Sequence, residues 1–435
     1  MKTPEEFLES NGFPVRSLDR AALLAAFGRE MEAGLAGKPS SLKMIPTYVS
    51  PEGELRRDVP VTVLDAGGTN LRGATVEFPA GGSVKITNKE KEQMPGATEY
   101  VSPDDFYGTF AAHVRRTAPF AKDPSIGFCF SYACEMSPAG DGKLLYWTKQ
   151  IQAPEIIGQW VGAELAKRIT PTPPRILVLN DTVTTLLAGK SAERPGVRHS
   201  AYIGFILGTG TNVAYVERNC NITKAPMADP DGTMVINTES GGFSKMEQST
   251  FDMAMDAKTH DAGAQTFEKM IAGAYLGRLG LEVLKSAARE GFFDRDAANG
   301  ILSLGSLESV DLDNFCACFK TDGQNPLDRI FASETDRSLA RRLATPVFER
   351  AAVLTAVHLA AFIVKTGGGT DRNAPVCVCI DGSTYYKTKT VSFPKIVKAE
   401  LDAMLGPRNI AFDLAVCPDD APLVGAAVAV LLERR

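Results

Sequence analysis

The chain has 435 residues, which is enough for two or three domains that each bury a core of their own. Hydrophobic residues make up 44% and charged residues 23%, a balance that excludes disorder, collagen or low complexity as the main theme. Since 47 basic residues face 52 acidic ones, the net charge of −5 predicts no broad surface for nucleic acid or an anionic membrane.

The cysteines do not have the spacing of a zinc site. Cys316 and Cys318, like Cys377 and Cys379, are separated by one residue, whereas structural zinc pairs have two to four residues between them. Residues i and i+2 of a strand share a face, so we interpret both pairs as buried small hydrophobic residues. The acidic N-terminus shows no targeting peptide, and no uncharged apolar run reaches the ~18 residues of a membrane span. We therefore expect a cytoplasmic protein without a membrane partner.

The first half of the chain predicts two entry helices followed by strands that alternate with helices. Ser17 and Asp19 are candidate cap residues of the helix pair. The predicted elements are helices within 4–36, strands at 61–64, 71–78, 125–132 and 175–179, and a helix from Thr182. This alternation predicts an α/β fold.

The second half repeats a pattern of the first. Its predicted elements are strands at 201–207 and 213–217, helices within 250–290 and 338–364, a strand at 376–380 and a helix at 423–432. Residues 64–77 and 207–217 each run strand, glycine turn, Thr-Asn, strand and Glu. We interpret the repeat as two related lobes whose hairpin tips face one cleft. Chance similarity of two turns is the alternative.

The lobe boundaries follow from where the hairpins fall. We expect a small lobe formed by residues 60–181 plus 421–435, and a large lobe formed by residues 1–59 plus 182–420.

The first glycine turn combines a carboxylate with groups that suit a phosphate. Its residues are Asp65, Ala66, Gly67, Gly68, Thr69 and Asn70. Glycines let backbone N–H groups turn toward an anion, and the threonine hydroxyl adds a donor. A carboxylate beside a phosphate needs an intervening cation, so Asp65 predicts Mg²⁺ bound directly or through water. A tight hairpin whose turn begins at an aspartate is the alternative.

The second glycine turn and a strand-end aspartate extend this hypothesis. The turn from Gly208 to Asn212 has Val213 where a dinucleotide fingerprint requires its third glycine, so it suits a second phosphate contact instead. Asp181 follows an apolar strand and precedes a helix, which is where a general base would accept the proton of an attacking hydroxyl. The alternative is that Asp181 only caps the helix.

Several polar side chains occur in turn-like contexts without an obvious role in the fold. They are Ser131, Thr148, Lys149, Asn237, Thr238, Glu239 and Glu268. Each alone is typical of a solvated or capping residue. Together they supply the acceptors and the positive charge that a polyhydroxylated ligand near a phosphate requires.

Seven segments, in this order, resemble the eukaryotic-type hexokinase and glucokinase family. They are Leu64-Asp65-Ala66-Gly67-Gly68-Thr69-Asn70, Trp147-Thr148-Lys149, Asn180-Asp181-Thr182-Val183, Leu207-Gly208-Thr209-Gly210-Thr211-Asn212, Ile236-Asn237-Thr238-Glu239, Phe267-Glu268-Lys269-Met270 and Asp381-Gly382-Ser383. They span nearly the whole chain, and their shared order makes the resemblance specific.

The resemblance implies an actin-like, ribonuclease H-like two-lobed fold with ATP and sugar in the interlobe cleft. It implies transfer of the γ-phosphoryl group of magnesium-ATP to the 6-hydroxyl of glucose or a related hexose, feeding glycolysis. Asp181 is then the general base, assisted by Lys149. The implied sugar contacts are Ser131, Tyr132, Thr148, Lys149, Asn180, Asp181, Asn212, Glu239 and Glu268. The implied nucleotide contacts are Asp65, Ala66, Gly67, Gly68, Thr69, Asn70, Thr209, Gly210, Thr321, Gly382 and Ser383, with Asp65 also on the metal.

The chain departs from the family pattern at a few positions that bear on sugar preference and nucleotide choice. Gln150-Ile151 replaces the usual Gly-Phe, and Ser240 replaces a Trp. Ala274 stands where a basic residue is expected near the triphosphate, and Arg278 where an acidic residue is common. Two alternatives stay open: a sugar-sensing protein with little catalysis, and an actin-like ATPase or chaperone. The sequence does not distinguish a monomer from a homodimer.

Overall fold

The computed structural model of the chain describes residues 2–13, 17–147, 151–169, 174–192, 198–225, 227, 229–319 and 323–432. Thr148, Lys149 and Thr321, which the sequence assigns to the site, therefore lie outside the described residues.

The described residues form α-helices and strands that alternate along much of the chain. The strands are β1 Ile45–Pro46, β2 Val61–Ala66, β3 Asn70–Glu77, β4 Lys85–Gln93, β5 Asp123–Phe130, β6 Ala133–Met136, β7 Gly142–Tyr146, β8 Ile176–Leu179, β9 Ala201–Leu207, β10 Thr211–Arg218, β11 Thr233–Asn237, β12 Val376–Asp381 and β13 Phe412–Val416. The helices are α1 Pro4–Ser10, α2 Arg20–Leu35, α3 Pro103–Thr117, α4 Val161–Ile169, α5 Asp181–Ser191, α6 Thr250–Asp256, α7 Thr266–Ile271, α8 Leu276–Arg289, α9 Arg295–Ser303, α10 Ser309–Cys316, α11 Pro326–Ile330, α12 Glu334–Thr366, α13 Ser383–Lys387, α14 Phe393–Leu405 and α15 Ala421–Leu431.

Two sheets repeat one topology. The first has the strand order β4-β3-β2-β5-β8 and the second β1-β11-β10-β9-β12-β13. In each sheet an antiparallel hairpin, β2/β3 or β9/β10, is followed by two parallel strands, β5 and β8 or β12 and β13. The glycine turns connect the strands of these two hairpins, so the repeat that was read from the sequence corresponds to a repeat of the sheet.

Helices α5 and α15 lie between the two sheets and pack against each other. Helix α15 contacts β2 and β5 of the first sheet, whereas α5 contacts β9 and β10 of the second. A Cβ atom at Gly425 would lie 2.0 Å from the carbonyl oxygen of Thr184, so only glycine permits this approach of the helices. The residue boundaries of the two lobes stay a prediction.

Helix α12 is the central helix of the larger core. By its length and composition it could cross a membrane, yet 89% of its most apolar 18-residue stretch is buried inside the protein. Its side chains pack in one cluster with those of α2 and α8. This burial is typical of the core helix of a folded domain.

The prediction for one of the two cysteine pairs needs correction. Cys377 and Cys379 are buried on β12 as expected, but Cys316 ends helix α10 and Cys318 is exposed in the following turn with φ of 56°. The Cys316 spacing therefore reflects a helix end rather than a strand.

His358 on α12 is fully buried. Its ring packs among Phe27, Phe205, Phe267 and Phe362 at centroid distances of 5.1–5.7 Å. Within the described residues neither ring nitrogen has a hydrogen-bond partner. Burial disfavours the charged form and lowers the pKa of His358 to about 3.

The buried imidazole predicts a loss of stability in mild acid. In the unfolded chain His358 binds a proton below its ordinary pKa of about 6.5. In the folded chain it binds that proton only near its lowered pKa of about 3, so acid favours the unfolded chain. Between pH 7 and pH 5 the wild type should lose about 2 kcal/mol of unfolding free energy more than His358→Phe does. Urea unfolding at both pH values measures the difference. His260→Gln, at a side chain that is 92% exposed, is the control, and equal losses in wild type and His358→Phe would contradict the prediction.

Candidate active site

A cleft of about 1020 Å³ lies between the two sheets, where both glycine turns end. Its walls include most of the sequence-predicted site residues that the structure describes: Gly68, Thr69, Ser131, Tyr132, Asn180, Asp181, Thr209, Gly210, Asn212, Glu239 and Glu268. The fold thus brings together residues that are up to 200 positions apart on the chain, as the sequence analysis expected.

A backbone hydrogen bond closes the first glycine turn, and an arginine forms an ion pair with the aspartate that precedes the turn. The N–H of Gly67 donates to the carbonyl of Asn70 at 3.0 Å. Asp65 lies opposite Arg72 in the β2/β3 pairing, and Oδ2 of Asp65 accepts from Nε of Arg72 at 2.7 Å. Arg72 also contacts Asp420 at 3.3 Å, beside the start of α15.

The Asp65 carboxylate is the candidate metal contact. Burial raises the pKa of Asp65 above its usual value, and the adjacent Arg72 charge opposes that rise. Within the described residues no group of three or more His, Cys, Asp or Glu side chains could hold a metal ion. A single carboxylate suits Mg²⁺ that is held mainly by phosphate oxygens and water, a mode that this ion commonly adopts. Arg72 was missed by the sequence analysis, although its cross-strand register with Asp65 was a usable signal.

The second glycine turn is anchored to the segment that precedes α8. The N–H of Gly208 donates to the carbonyl of Gly210 at 3.0 Å, which closes the turn. The carbonyls of Gly208 and Thr209 accept from the N–H groups of Gly273 and Ala274, at 2.8 and 3.1 Å. The turn is therefore held in one position relative to the N-terminus of α8.

Gly382 and Ser383 lie against this second turn. Gly382 adopts φ of +126°, and a Cβ atom there would be 2.1 Å from the carbonyl oxygen of Leu207. Only glycine fits this position. Helix α13 begins at Ser383, and the hydroxyl of Thr384 donates to the carbonyl of Gly208 at 2.8 Å. The predicted nucleotide segment and the second turn are thus in direct contact.

Asp181 is the first residue of α5, and Asn180 is its cap. The side-chain oxygen of Asn180 accepts from the N–H of Thr182 at 2.9 Å, so the alternative in which Asp181 caps the helix is wrong. Oδ1 of Asp181 also accepts from the Thr182 N–H, at 2.8 Å. Within the described part of the chain, Oδ2 of Asp181 has no hydrogen-bond partner. This oxygen is therefore available to accept a proton from a ligand.

A chain of side-chain amides positions the Glu239 carboxylate. Nδ2 of Asn212 donates to Oδ1 of Asn237 at 2.7 Å, and Nδ2 of Asn237 donates to Oε1 of Glu239 at 2.9 Å. Glu239 adopts a left-handed conformation with φ of 53°, a backbone state that costs energy in a residue other than glycine. Burial, reinforced by the negative charge of Asp181, raises the pKa of Glu239.

Glu268 lies on helix α7, not in the turn-like context that the sequence suggested. Its Oε2 accepts from the N–H of Thr211 at 2.8 Å, and a Cβ atom at Gly210 would be 2.6 Å from the same oxygen. Glycine in the second turn therefore makes room for this carboxylate. Burial raises the pKa of Glu268 to about 7, against the effect of the Thr211 hydrogen bond.

Ser131 and Tyr132 follow β5 beside the first turn. The N–H of Ser131 donates to the carbonyl of Ala66 at 3.1 Å. The Tyr132 hydroxyl donates to the carbonyl of Gly67 at 2.7 Å, and its ring packs edge-on against Trp147 at 4.7 Å. Tyr132, expected to contact substrate, thus uses its hydroxyl to support the glycine turn.

Gln265 and Tyr146 line the cleft although the sequence analysis did not single them out. Gln265 precedes Glu268 by three residues, a spacing that places both on one side of a helical turn. Its φ of 50° is left-handed, a strained state for a non-glycine residue at a functional site. The Tyr146 hydroxyl accepts from Nζ of Lys43 at 2.7 Å. The i, i+3 spacing was the available signal for Gln265.

Comparison with known proteins identifies similar chains over nearly the full length. Two family models described as hexokinase match residues 5–191 and 202–432. Hexokinase-7 of Oryza sativa subsp. japonica is 30% identical, covering 95% of this chain and 93% of that protein. Hexokinase-1 of Nicotiana tabacum is 32% identical over 87% of this chain and 81% of that protein. Hexokinase-1 of Schizosaccharomyces pombe is 28% identical over 99% of this chain and 90% of its own.

Solved structures of similar architecture support the fold. A hexokinase from Schistosoma mansoni complexed with glucose superposes with a TM-score of 0.77 at 24% identity, covering 98% of this chain and 99% of that one. A second hexokinase structure gives a TM-score of 0.73 at 23% identity, with 99% and 96% covered. The predicted two-lobed actin-like α/β fold is thereby confirmed.

The raised pKa of Glu268 predicts that ionisation of the Glu268 carboxylate lowers the free energy of unfolding. The unfolded chain loses this proton near pH 4.5, whereas the folded chain holds it until about pH 7. At pH 8, Glu268→Gln should therefore exceed the wild type in unfolding free energy by on the order of 1–3 kcal/mol, and this gain should vanish near pH 4.5. Urea unfolding at the two pH values measures it. A gain that is the same at both would contradict the prediction.

Proposed function

The chain belongs to the hexokinase family, and we propose that it transfers the γ-phosphoryl group of magnesium-ATP to the 6-hydroxyl of glucose or a related hexose. The observation that carries the proposal is the position of Asp181. Asp181 lines the cleft together with both glycine turns and the proposed sugar contacts, and within the described residues its Oδ2 has no hydrogen-bond partner. Such a cleft suits a reaction between a sugar hydroxyl and a phosphate.

In the proposed mechanism Asp181 orients the attacking hydroxyl and accepts its proton. Phosphoryl transfer requires little covalent chemistry from the protein, because alignment and neutralisation of the phosphate oxygens lower the barrier. The Thr182 N–H holds Oδ1 of Asp181 and leaves Oδ2 for the hydroxyl. In this proposal Lys149 adds positive charge near the transferred group.

The proposed sugar contacts are acceptors and donors fixed by neighbouring bonds. The Asn212–Asn237–Glu239 chain orients one carboxylate, and the Thr211 N–H orients the Glu268 carboxylate. A carboxylate can accept hydrogen bonds from two vicinal hydroxyl groups, and a pyranose ring presents such pairs. Asn180, Ser131 and Thr148 complete the proposed set.

The proposed nucleotide contacts are the two glycine turns and the Gly382–Ser383 segment. Backbone N–H groups of such turns bind phosphate oxygens. When bound, Mg²⁺ neutralises charge on those oxygens, and Asp65 is suited to contact its water shell. Arg72 keeps the Asp65 carboxylate oriented through the 2.7 Å hydrogen bond.

Two other functions compete with this proposal. A sugar-binding protein without useful catalysis would have no need for the free carboxylate of Asp181. An actin-like ATPase would share the glycine turns but would not need the Glu239 and Glu268 acceptors. An assay with magnesium-ATP and a panel of hexoses separates the three, by sugar-dependent ADP release, sugar binding without turnover, or hydrolysis that is independent of sugar.

Removal of the proposed base predicts a loss of turnover with little loss of sugar binding. Asp181→Asn keeps an oxygen for the Thr182 N–H but accepts no proton, so kcat should fall by about 100- to 10,000-fold. Hexose affinity, measured by calorimetry, should stay within a few-fold of the wild type.

The matched control is Asp296→Asn, which changes an exposed aspartate in the first turn of α9. Its kcat should equal that of the wild type. Activity of Asp181→Asn within a few-fold of the wild type would refute the assignment of the base.

The pKa of Glu268 predicts that hexose affinity depends on pH. The ionised carboxylate is a stronger hydrogen-bond acceptor for hydroxyls than the protonated acid, and its pKa of about 7 means that it gains a proton below neutrality. The hexose dissociation constant should therefore rise about tenfold from pH 8 to pH 6. Glu268→Gln should bind more weakly at pH 8 and show a flat profile. A wild-type profile as flat as that of the variant would contradict this role.

A further inference from the structure

The cleft contains more negative than positive charge. Among the described residues that line it, Asp181, Glu239, Asp261 and Glu268 are acidic, and none is lysine or arginine. A magnesium-bound triphosphate keeps a net negative charge, so it needs a cation nearby. The proposed Lys149 would serve the transferred group, which leaves the rest of the polyphosphate without a partner.

Three other cations near the cleft are already paired with carboxylates, and Lys43 donates to the hydroxyl of Tyr146 at 2.7 Å. Arg72 is paired with Asp65 and Asp420, and Lys89 donates to Asp420 at 2.7 Å. Lys269 is buried and paired with Asp256 at 2.6 Å. None of these side chains is available for a phosphate without breaking an existing ion pair or hydrogen bond.

Arg278 is a cation near the second turn that lacks an ion-pair partner within the described part of the chain. Its guanidinium carbon lies 5.9 Å from the ring centroid of Tyr275, and Tyr275 lines the cleft. The segment just before α8 is fixed to the second turn, since Ala274 donates to the carbonyl of Thr209. Side chains of a helix lean toward its N-terminus, so Arg278 projects over Tyr275 and toward that turn.

The place of Arg278 in its helix is unfavourable with respect to the helix dipole. It is the third residue of α8, in the first helical turn, where the helix dipole favours an acidic side chain and disfavours a cation. The same turn contains no acidic residue that could compensate. An anion bound beside this turn would reverse the disadvantage.

We propose that Arg278 binds the polyphosphate of the nucleotide, reaching from the first turn of α8 to the phosphate oxygens beside Thr209. This inference rests on the proposed function, because it assumes that the nucleotide occupies the second turn. Arg278 then supplies the positive charge that Ala274 cannot.

The test measures nucleotide binding directly as well as turnover. Arg278→Ala should weaken binding of a non-hydrolysable magnesium-ATP analogue about tenfold by calorimetry, as expected for loss of a charge-assisted hydrogen bond. The KM for magnesium-ATP should rise in parallel, while the KM for hexose and the affinity for adenosine, which has no phosphate, should not change. Arg289→Ala, at the far end of the same helix, is the control and should behave as the wild type.

A second variant separates loss of charge from loss of structure. Ala274 lies in the segment just before α8, and its N–H donates to the carbonyl of Thr209 in the second turn. Ala274→Lys in the Arg278→Ala background should therefore restore analogue affinity to within about threefold. Thermal unfolding should show that Arg278→Ala is at least as stable as the wild type, because a cation has left a helix N-terminus.

The outcomes divide clearly. Analogue binding by Arg278→Ala equal to that of Arg289→Ala would overturn the inference, and so would an equal loss of adenosine affinity. A wild type that shows the Arg278-dependent analogue binding but phosphorylates no hexose would refute the proposed function and leave this inference standing.

Discussion

The close approach of α5, α15 and the central strands is the constraint on which the site depends. A Cβ at Gly425 would lie 2.0 Å from the Thr184 carbonyl oxygen, one at Gly127 2.3 Å from a carbonyl oxygen of α15, and one at Gly204 2.4 Å from a carbonyl oxygen of α5. Each sheet thus meets the helix pair through a glycine. Because Asp181 is the first residue of α5, this packing determines where its carboxylate lies relative to both glycine turns.

The same packing buries carboxylates close to one another. Burial raises the pKa of Asp65, Glu239 and Glu268, and the charge of Asp181 adds to the effect at Asp65 and Glu239. Clusters of side chains with shifted pKa values are typical of functional sites, where the arrangement that the chemistry requires lowers the stability of the fold. A ligand that brings hydroxyl donors and a magnesium-bound phosphate would relieve this repulsion. The free site is therefore less stable than the occupied one.

The sequence allowed the fold and the centre of the site to be predicted, because both depend on local patterns. The repeated turn at 65–70 and 208–212 is a short motif, and a strand-end Asp181 follows from strand and helix periodicity. What it could not supply are contacts between distant segments. Arg72 contacts Asp420, 348 positions away, only because α15 packs on the first sheet, and the exposure of Cys318 follows from where α10 ends. Asn180 rather than Asp181 is the cap because the backbone of Asn180 is extended and the helix begins at Asp181, a difference of one residue that the sequence pattern does not reveal.

Each glycine turn is hydrogen-bonded to a side chain that belongs to the proposed sugar contacts. The Tyr132 hydroxyl donates to the carbonyl of Gly67 in the first turn, and the Glu268 carboxylate accepts from Thr211 in the second. In the proposed function, a sugar that engages Glu268 acts on a group already bonded to the backbone proposed to bind phosphate. Because the Glu268 carboxylate would contact both the sugar and the second turn, its ionisation links sugar binding to the position of that turn. Occupancy by a sugar would hold Glu268 ionised, and the ionised form is the stronger acceptor for the Thr211 N–H. Sugar binding should in this way order the second turn before the phosphate reacts.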